Sequence, residues 1–259
     1  MTNDDLSKIV DTNDEWIRSR TGIGERRIAT EDSTSDMAAK AAARAIEQAG
    51  IAPEEIDLIL LATSSPDSCF PNGACEVQAK IGAIHAACYD ISAACTGFVF
   101  ALSTAHAFIS SGIYRTALVI GADVLSKLVD WTDRGTCILF GDGAGAVLIQ
   151  AAEGKTYRPA AHSDGSGGAA LTGPGVRNRI RSIDKDGEKT KTEYITMNGK
   201  DVFQFAVRKV PQVIQEVLKE NELSVEDIDW FVLHQANARI VDAVARRLRI
   251  GMEKFPMNL

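Results

Sequence analysis

The stretch Ala45-Ile-Glu-Gln-Ala-Gly-Ile-Ala-Pro-Glu-Glu-Ile-Asp-Leu-Ile-Leu-Leu61 decides the fold, because a second version of it occurs later in the chain. Val217-Leu-Lys-Glu-Asn-Glu-Leu-Ser-Val-Glu-Asp-Ile-Asp-Trp-Phe-Val-Leu233 aligns with it without a gap, 172 residues further on. Both copies are typical of a helix end, an acidic turn and an apolar strand. Convergence could produce the few identities, but the shared acidic turn favours an internal duplication. The identical pairs are Glu54/Glu226, Ile56/Ile228, Asp57/Asp229 and Leu61/Leu233.

The sequence around the first copy alternates helices with short apolar strands. Ser33 or Thr34 is a plausible helix cap, and Gly50 a stop. Strands that are apolar throughout indicate an α/β protein whose sheets are covered on both faces. We predict helices over Thr34–Ala49, Ala74–Ile81 and Gly97–Ser111, strands over Leu58–Ala62, Ala86–Ile91 and Ala117–Gly121, and a glycine-rich turn at Phe140 that leads into a further strand.

Composition excludes several classes of protein. The net charge of -7 argues against a nucleic-acid surface, which needs excess Lys and Arg. No apolar run is long enough to span a membrane, and the N-terminus is acidic, so we expect a cytoplasmic protein with no membrane contact. Two groups of arginines, 239/246/247/249 and 177/179/181, are interpreted mainly as solvated faces. The five cysteines (69, 75, 88, 95 and 137) have neither disulfide nor metal-ligand spacing, so we expect no metal site.

Cys95 is the first candidate catalytic residue. It stands where the apolar strand before it passes through small residues into an apolar helix. A helix N-terminus carries partial positive charge and favours the thiolate, which is the nucleophilic form. The alternative is a small buried hydrophobic residue, as most free cysteines are.

His234 is the second candidate. It ends the strand of the second repeat copy, and functional groups of α/β sheets gather at the carboxyl ends of strands. A histidine there could be a general base, an oxyanion donor or a structural side chain. If the two halves pack about a pseudo-twofold axis, they could bring this imidazole to the Cys95 thiol.

Several motifs together resemble β-ketoacyl-acyl carrier protein synthase III, the initiating condensing enzyme of fatty-acid synthesis. The resemblance covers essentially the whole chain and implies the duplicated thiolase fold, a five-layer αβαβα sandwich. The motifs are Asp11-Thr-Asn-Asp-Glu-Trp-Ile-Arg-Ser-Arg-Thr-Gly-Ile23, Ala93-Ala-Cys-Thr-Gly-Phe98, Asp133-Arg-Gly-Thr136, Phe140-Gly-Asp-Gly-Ala-Gly-Ala146 and His234-Gln-Ala-Asn237.

The resemblance implies a two-step reaction. Cys95 would take an acyl group from acyl-coenzyme A, and malonyl-acyl carrier protein would then lose carbon dioxide and condense with that thioester. His234 would stabilise the enolate. No cofactor is implied, because acyl-coenzyme A is a substrate. Carried over from the family are coenzyme A and carrier-protein contacts at Thr12, Trp16, Arg20, Arg134, Asn237 and Arg239, and acyl-pocket positions at Phe70 and Phe203, with Phe70 reaching the partner of a homodimer.

The ends depart from the family pattern. Family members begin with an extra strand and continue, beyond Leu259, into a segment that bears a catalytic Asn. We therefore expect halves at residues 1–155 and 156–259, with the second incomplete, and a chain that acylates Cys95 but condenses poorly. The alternatives are another thiolase-fold acyltransferase, of the hydroxymethylglutaryl-coenzyme A synthase or polyketide or quinolone starter type, or a condensation-deficient fragment that binds coenzyme A.

Overall fold

A computed structural model describes residues 1–175 and 193–259, so Arg177, Arg179 and Arg181 lie outside the described residues. A four-stranded sheet organises the first part of the chain. Its strands are β1 (Leu58–Ala62), β2 (Ala87–Ile91), β3 (Thr116–Val124) and β4 (Asp142–Gln150), in the order β2-β1-β3-β4. β1 is parallel to β2 and β3, and β4 is antiparallel to β3.

Helices connect and flank these strands. They are α1 (Asn3–Leu6), α2 (Asp14–Thr21), α3 (Thr34–Ala49), α4 (Gly73–Ile81), α5 (Gly97–Ser110), α6 (Gly199–Glu220) and α7 (Ala238–Leu248). A short antiparallel pair, β5 (Leu171–Thr172) and β6 (Thr196–Met197), precedes α6. Within the described residues, no helix combines the length and the apolar character that crossing a membrane requires.

The central strand β1 is covered on both faces, as the apolar sequence predicts. All five of its residues are buried. Ile59 and Leu61 pack into the cluster formed with α3 and α4, whereas Leu58 and Leu60 pack into the cluster formed with α5. Each such side chain contributes on the order of 1.5–3 kcal/mol by its burial. The sheet is therefore held between two helical layers.

Local signals fix the ends of α3 as predicted. Ser33 caps the helix, its hydroxyl accepting from the backbone N–H of Asp36, while the Asp36 carboxylate accepts from the N–H of Ser33. Gly50 ends the helix in the left-handed conformation, with φ 67°. The prediction of Thr34–Ala49 is confirmed to the residue.

The acidic turn of the repeat has a clear role in the first copy. Asp57 precedes β1, and its Oδ2 accepts from the backbone N–H groups of Arg115 and Thr116, at 2.9 and 3.0 Å. This carboxylate ties the start of β3 to the start of β1. The turn therefore links β1 and β3 at their amino-terminal ends.

The second copy agrees with the first at the helix and differs at the strand. Glu222, the residue aligned with Gly50, is also left-handed, with φ 55°, which supports the duplication. The predicted strand at residues 230–233 is wrong, because this segment has no strand ladder within the described residues. Phe231 instead donates its N–H to the carbonyl of Lys254, at 2.8 Å. A strand needs a lateral partner, which hydrophobic periodicity does not reveal.

Two further predictions are corrected in detail. β3 extends to Val124, beyond the predicted end at Gly121. The glycine-rich turn near Phe140 is short, because β4 already begins at Asp142. The glycines at 143 and 145 thus lie within a strand that pairs with the end of β3.

Candidate active site

Cys95 lies in a single 3₁₀ turn, Ala94–Thr96, between the end of β2 and the start of α5. Ala94 adopts a left-handed conformation with φ 46°, which costs a residue with a side chain on the order of 1–2 kcal/mol. A Cβ added to Gly97 would lie 3.1 Å from the Cβ of Ala62 at the end of β1. The turn is therefore strained and pressed closely onto the sheet.

Burial raises the pKa of the Cys95 thiol; a hydrogen bond from its own backbone opposes this shift, and the Asp123 carboxylate adds to it. The sequence indicated the opposite balance, with the helix start favouring the thiolate. In the structure α5 begins only at Gly97, and removal of the thiol from water outweighs any gain from the helix end. Cys95 is exposed as a residue, yet its sulfur is crowded and in its neutral form.

His234 follows the extended segment of the second repeat copy. Although His234 is exposed as a residue, partial removal of its imidazole from water lowers the pKa of the ring, which is therefore neutral at pH 7. The segment is fixed by its neighbour Gln235, whose Oε1 accepts from the N–H of Asn258 at 2.8 Å. Among the described residues, His234 and Cys95 make no hydrogen bond to each other. The pairing expected from pseudo-twofold packing stays a prediction.

Three of the residues predicted to contact coenzyme A lie together around Trp16. The guanidinium carbon of Arg134 is 4.6 Å from the centre of the Trp16 ring, and that of Arg20 is 4.7 Å away. Arg134 also donates from Nη1 to the backbone carbonyl of Asp11, at 2.9 Å. The neighbouring Thr12 hydroxyl is buried and has no hydrogen-bond partner in the described part of the chain. An aromatic ring and two cations thus share one surface, and a buried, unpaired hydroxyl lies four residues before the ring in the chain.

The other predicted site residues lie at the start of α7, on α6 and in the loop between β1 and α4. Asn237 caps α7, its Oδ1 accepting from the N–H of Arg239 at 2.8 Å. The Arg239 guanidinium carbon lies 5.7 Å from the centre of the Phe203 ring on α6. Phe203, expected in the acyl pocket, is therefore placed beside a predicted carrier-protein contact. Phe70, the other expected acyl-pocket residue, is 86% exposed in the loop between β1 and α4.

Gly22 joins the two groups of residues, and the sequence reasoning gave it no role. It ends α2 with φ 84°, and a Cβ added there would lie 2.8 Å from the Cβ of Ala238, the first residue of α7. The helix that carries Trp16 and Arg20 therefore abuts the helix capped by Asn237. A glycine directly after an Arg-rich helix was the signal available.

Asp123 is the second residue that the sequence reasoning missed. It lies near the end of β3, on the same edge of the sheet as the Cys95 turn, and its charge acts on the thiol. An acidic residue two positions beyond the predicted end of an apolar strand was the available signal, because the carboxyl ends of parallel strands lie at one end of the sheet. Within the described ranges, no cluster of three or more His, Cys, Asp and Glu side chains is arranged to hold a metal.

Comparison with known proteins agrees with this arrangement. The family model described as 3-oxoacyl-[acyl-carrier-protein (ACP)] synthase III matches residues 89–168, and that of its C-terminal part matches residues 218–259. The chain is 54% identical to the β-ketoacyl-[acyl-carrier-protein] synthase III of Clostridium acetobutylicum and 47% identical to that of Streptococcus mutans; in both cases the match spans 100% of this chain and 79% of the relative. The crystal structure of the Aquifex aeolicus 3-oxoacyl-[acyl-carrier-protein] synthase III superposes with a TM-score of 0.90 at 45% identity, covering 100% of this chain and 79% of the other.

The fold and the cysteine turn define a condensing enzyme with the thiolase fold. Within that class, the identities above are specific. The chain belongs to the β-ketoacyl-[acyl-carrier-protein] synthase III family.

Proposed function

We propose that this chain catalyses the initiating condensation of fatty-acid synthesis, with Cys95 as its nucleophile. The Cys95 sulfur attacks the carbonyl carbon of an acyl-coenzyme A thioester, a new thioester forms, and coenzyme A leaves as a thiol. Malonyl-acyl carrier protein then loses carbon dioxide, and its carbanion attacks the Cys95 thioester. The products are a 3-ketoacyl-acyl carrier protein and the free Cys95. The observation that carries this proposal is the strained turn that places Cys95 between β2 and α5 in a chain of this family.

The neutral imidazole of His234 suits the second step. A neutral ring donates a hydrogen bond from one nitrogen without bringing a full charge. Aimed at the malonyl thioester oxygen, that donor stabilises the negative charge that develops on decarboxylation, an effect worth roughly 2.7–4 kcal/mol in comparable oxyanion sites. We assign His234 this role.

The Trp16 cluster is the proposed site for the nucleotide end of coenzyme A. An adenine ring would stack on Trp16 in the place where the Arg134 guanidinium now lies, and Arg134 would cover the other face of the base. Thr12, Arg20 and Asn237 would contact the rest of the molecule along the seam between α2 and α7. The carrier protein, which is acidic in this family, would meet Arg239 at the outer end of that seam. No metal or further cofactor takes part.

We further propose a cytoplasmic homodimer. The support for a dimer is the exposed Phe70 side chain and the outer edge of β2, which has no partner strand among the described residues in the sheet order β2-β1-β3-β4. Phe70 would enter the acyl pocket of the partner subunit, and Phe203 would lie near the channel that leads to it. A reducing compartment accords with five cysteines that are all free.

Labelled acetyl-coenzyme A tests the nucleophile. Wild-type protein should gain one acetyl group on the peptide that contains Cys95, as seen by mass spectrometry. Cys95→Ala should gain none, whereas Cys69→Ala, which removes another exposed thiol, should label normally. Label retained in Cys95→Ala would refute the assignment.

The choice of second substrate distinguishes this reaction from those of other thiolase-fold acyltransferases. Malonyl-acyl carrier protein, malonyl-coenzyme A and acetoacetyl-coenzyme A are offered in turn to the acetylated protein. Product from malonyl-acyl carrier protein alone supports the proposal, and product from either coenzyme A thioester alone points to another thiolase-fold acyltransferase.

Trp16→Ala tests the coenzyme A site. We expect the KM for acetyl-coenzyme A to rise about 5- to 150-fold, because base stacking on an aromatic ring is worth roughly 1–3 kcal/mol. Trp230→Ala is the matched control, because Trp230 is 60% exposed and lies outside the cluster. An unchanged KM in Trp16→Ala would place the nucleotide elsewhere.

A further inference from the structure

The carboxylate of Asp123 accepts hydrogen bonds from the segment that follows β1. Its Oδ1 accepts three hydrogen bonds, from the hydroxyl of Thr63 at 3.1 Å, the N–H of Ser64 at 2.7 Å and the hydroxyl of Ser65 at 2.8 Å. Ser65 in turn accepts from the N–H of Val124 at 2.8 Å. The ends of β1 and β3 are thus closed into one unit around a single oxygen.

This unit is continuous with the Cys95 turn. Thr63 donates its N–H to the carbonyl of Ile91, the last residue of β2, at 3.3 Å. Ala62, just before Thr63, is the residue that Gly97 packs against. The left-handed Ala94 and Cys95 lie between these two points of contact. A shift of Thr63 would therefore move both ends of the turn that carries the thiol.

We propose that Asp123 is a positioning residue for Cys95: its carboxylate fixes the strained turn through Thr63 and places a negative charge at the end of the sheet that carries the thiol. The inference rests on the proposed role of Cys95 as the acyl acceptor. Acyl transfer from coenzyme A exchanges one thiol for another: the Cys95 proton is lost and coenzyme A leaves as a thiol. A protonated resting cysteine is therefore compatible with the overall proton balance of this step.

The electrostatics of the edge support the assignment. Oδ2 of Asp123 accepts no hydrogen bond from the described residues, and the charge of this carboxylate adds to the burial that raises the pKa of Cys95. The other charged groups on this edge are engaged elsewhere. Lys127 donates to the carbonyl of Ser65 at 2.8 Å and lies 3.8 Å from Asp67, and Asp142 accepts from Ser126 at 2.7 Å. His234 is neutral at pH 7.

Asp123→Asn removes the charge and keeps an acceptor oxygen for Thr63, Ser64 and Ser65. The rate of Cys95 alkylation by iodoacetamide, followed by mass spectrometry of its peptide, is measured against pH. We expect the midpoint of the Asn variant to fall below that of the wild type, because a like charge disfavours the thiolate. Asp57→Asn is the matched control: it changes an aspartate that also ties β1 to β3, but at the amino-terminal ends of these strands, away from Cys95. Its midpoint should equal that of the wild type.

Thr63→Val separates the positioning of the Cys95 turn from the effect of the Asp123 charge. It remains informative if Asp123→Asn does not fold. It removes the hydroxyl link while the carboxylate stays. We expect the alkylation midpoint to stay within error of the wild type, and acetylation of Cys95 by acetyl-coenzyme A to slow severalfold. The inference is overturned by an Asp123→Asn midpoint at or above that of the wild type, or by Thr63→Val acetylating at the wild-type rate. If either of these two results is found while the wild type still acetylates Cys95, the proposed function stands. If the wild type does not acetylate Cys95, the proposed function is refuted.

Discussion

At the scale of single residues, the two proposed catalytic groups are both neutral. Both residues are exposed, but partial burial of their polar atoms raises the pKa of Cys95 and lowers that of His234, so both side chains are neutral at pH 7. A thiolate–imidazolium pair, common in cysteine hydrolases, is therefore not the resting state here. The imidazole is free to donate a hydrogen bond to substrate instead of holding a proton taken from the thiol.

His234→Gln should separate the two half-reactions. Acetylation of Cys95 should proceed at a rate near that of the wild type, because the thiol does not depend on the ring for its proton. Release of carbon dioxide from malonyl-acyl carrier protein should fall about a hundredfold, the usual cost of losing one oxyanion donor. His85→Gln is the control, since His85 is exposed and lies in a turn before β2. Equal losses in both half-reactions would contradict the assignment.

The pH dependence of decarboxylation follows from the same imidazole. Because burial lowers the pKa of His234, the ring gains its proton only below the ordinary histidine value of about 6.5. Activity that needs the neutral ring should therefore stay level as pH falls from 8 to that value and decline only below it. Carbon dioxide release measured from pH 8 to pH 5 on protein acetylated beforehand checks this. A decline already complete at pH 7 would show a raised pKa and contradict the structure.

At the scale of elements, the repeat is clearest in the backbone at the helix ends. Gly50 after α3 and Glu222 after α6 are aligned, and both are left-handed. Only the first copy has glycine at this position, the residue that the left-handed conformation favours. The second half thus keeps the geometry of the turn at an energetic cost.

Glu222→Gly should consequently stabilise the protein by about 1 kcal/mol, because the left-handed conformation penalises a side chain and not a glycine. The free energy of unfolding in urea measures the gain. Glu220→Gly is the matched control: it places glycine at the last residue of α6, where it should destabilise by up to about 1 kcal/mol. A loss of stability in both variants would show that the conformation at residue 222 does not govern the effect.

The seam between α2 and α7 offers a second test. Gly22→Ala adds strain at φ 84° and a contact at 2.8 Å with Ala238. Gly82→Ala adds similar strain at φ 77°, but nothing lies within 4 Å of its new methyl group. We expect Gly22→Ala to lose about 1 kcal/mol more stability and to raise the KM for acetyl-coenzyme A, which Gly82→Ala should not do. Equal effects on KM would mean that the seam does not shape the nucleotide site.

The sequence predicted those elements that depend on local signals. The caps and glycines of α3 and the apolar run of β1 are contained in neighbouring residues, and both elements occur at the predicted positions. The segment at 230–233 has an equally apolar run, but a strand also depends on a partner distant in sequence. Cys95 and His234 stand out by their motifs, whereas Asp123 and Gly22 act through residues far along the chain, which no single stretch reveals.

At the scale of the whole molecule, the open edge of the sheet bears on assembly. In β2, the N–H of Ala87 donates to the carbonyl of Asp57, and the carbonyl of Ile91 accepts from the N–H of Thr63. The backbone groups of both residues therefore point toward β1. By the alternation of strands, Cys88 and Asp90 direct their backbone groups outward, where the Cys88 carbonyl accepts only a long hydrogen bond from Asn72 Nδ2, at 3.5 Å, and a weak contact from the Cys75 thiol, and where no strand of the described residues pairs. An unpaired edge of this kind is a template for a second strand. The proposed homodimer would pair two copies of β2 there and bring each Phe70 to the other subunit.

Cys88→Pro should therefore abolish the dimer without unfolding the subunit. Proline removes the outward N–H at residue 88 and leaves the bonds of Ala87 and Ile91 to β1 in place, a position where an edge strand tolerates it. Cys88→Val removes the same thiol but keeps the N–H, so it should assemble like the wild type. Sedimentation equilibrium should give about twice the chain mass of 27.8 kDa for wild type and Cys88→Val, and the single mass for Cys88→Pro. A folded Cys88→Pro dimer would place the subunit interface on a different surface, and Phe70 would then need another partner.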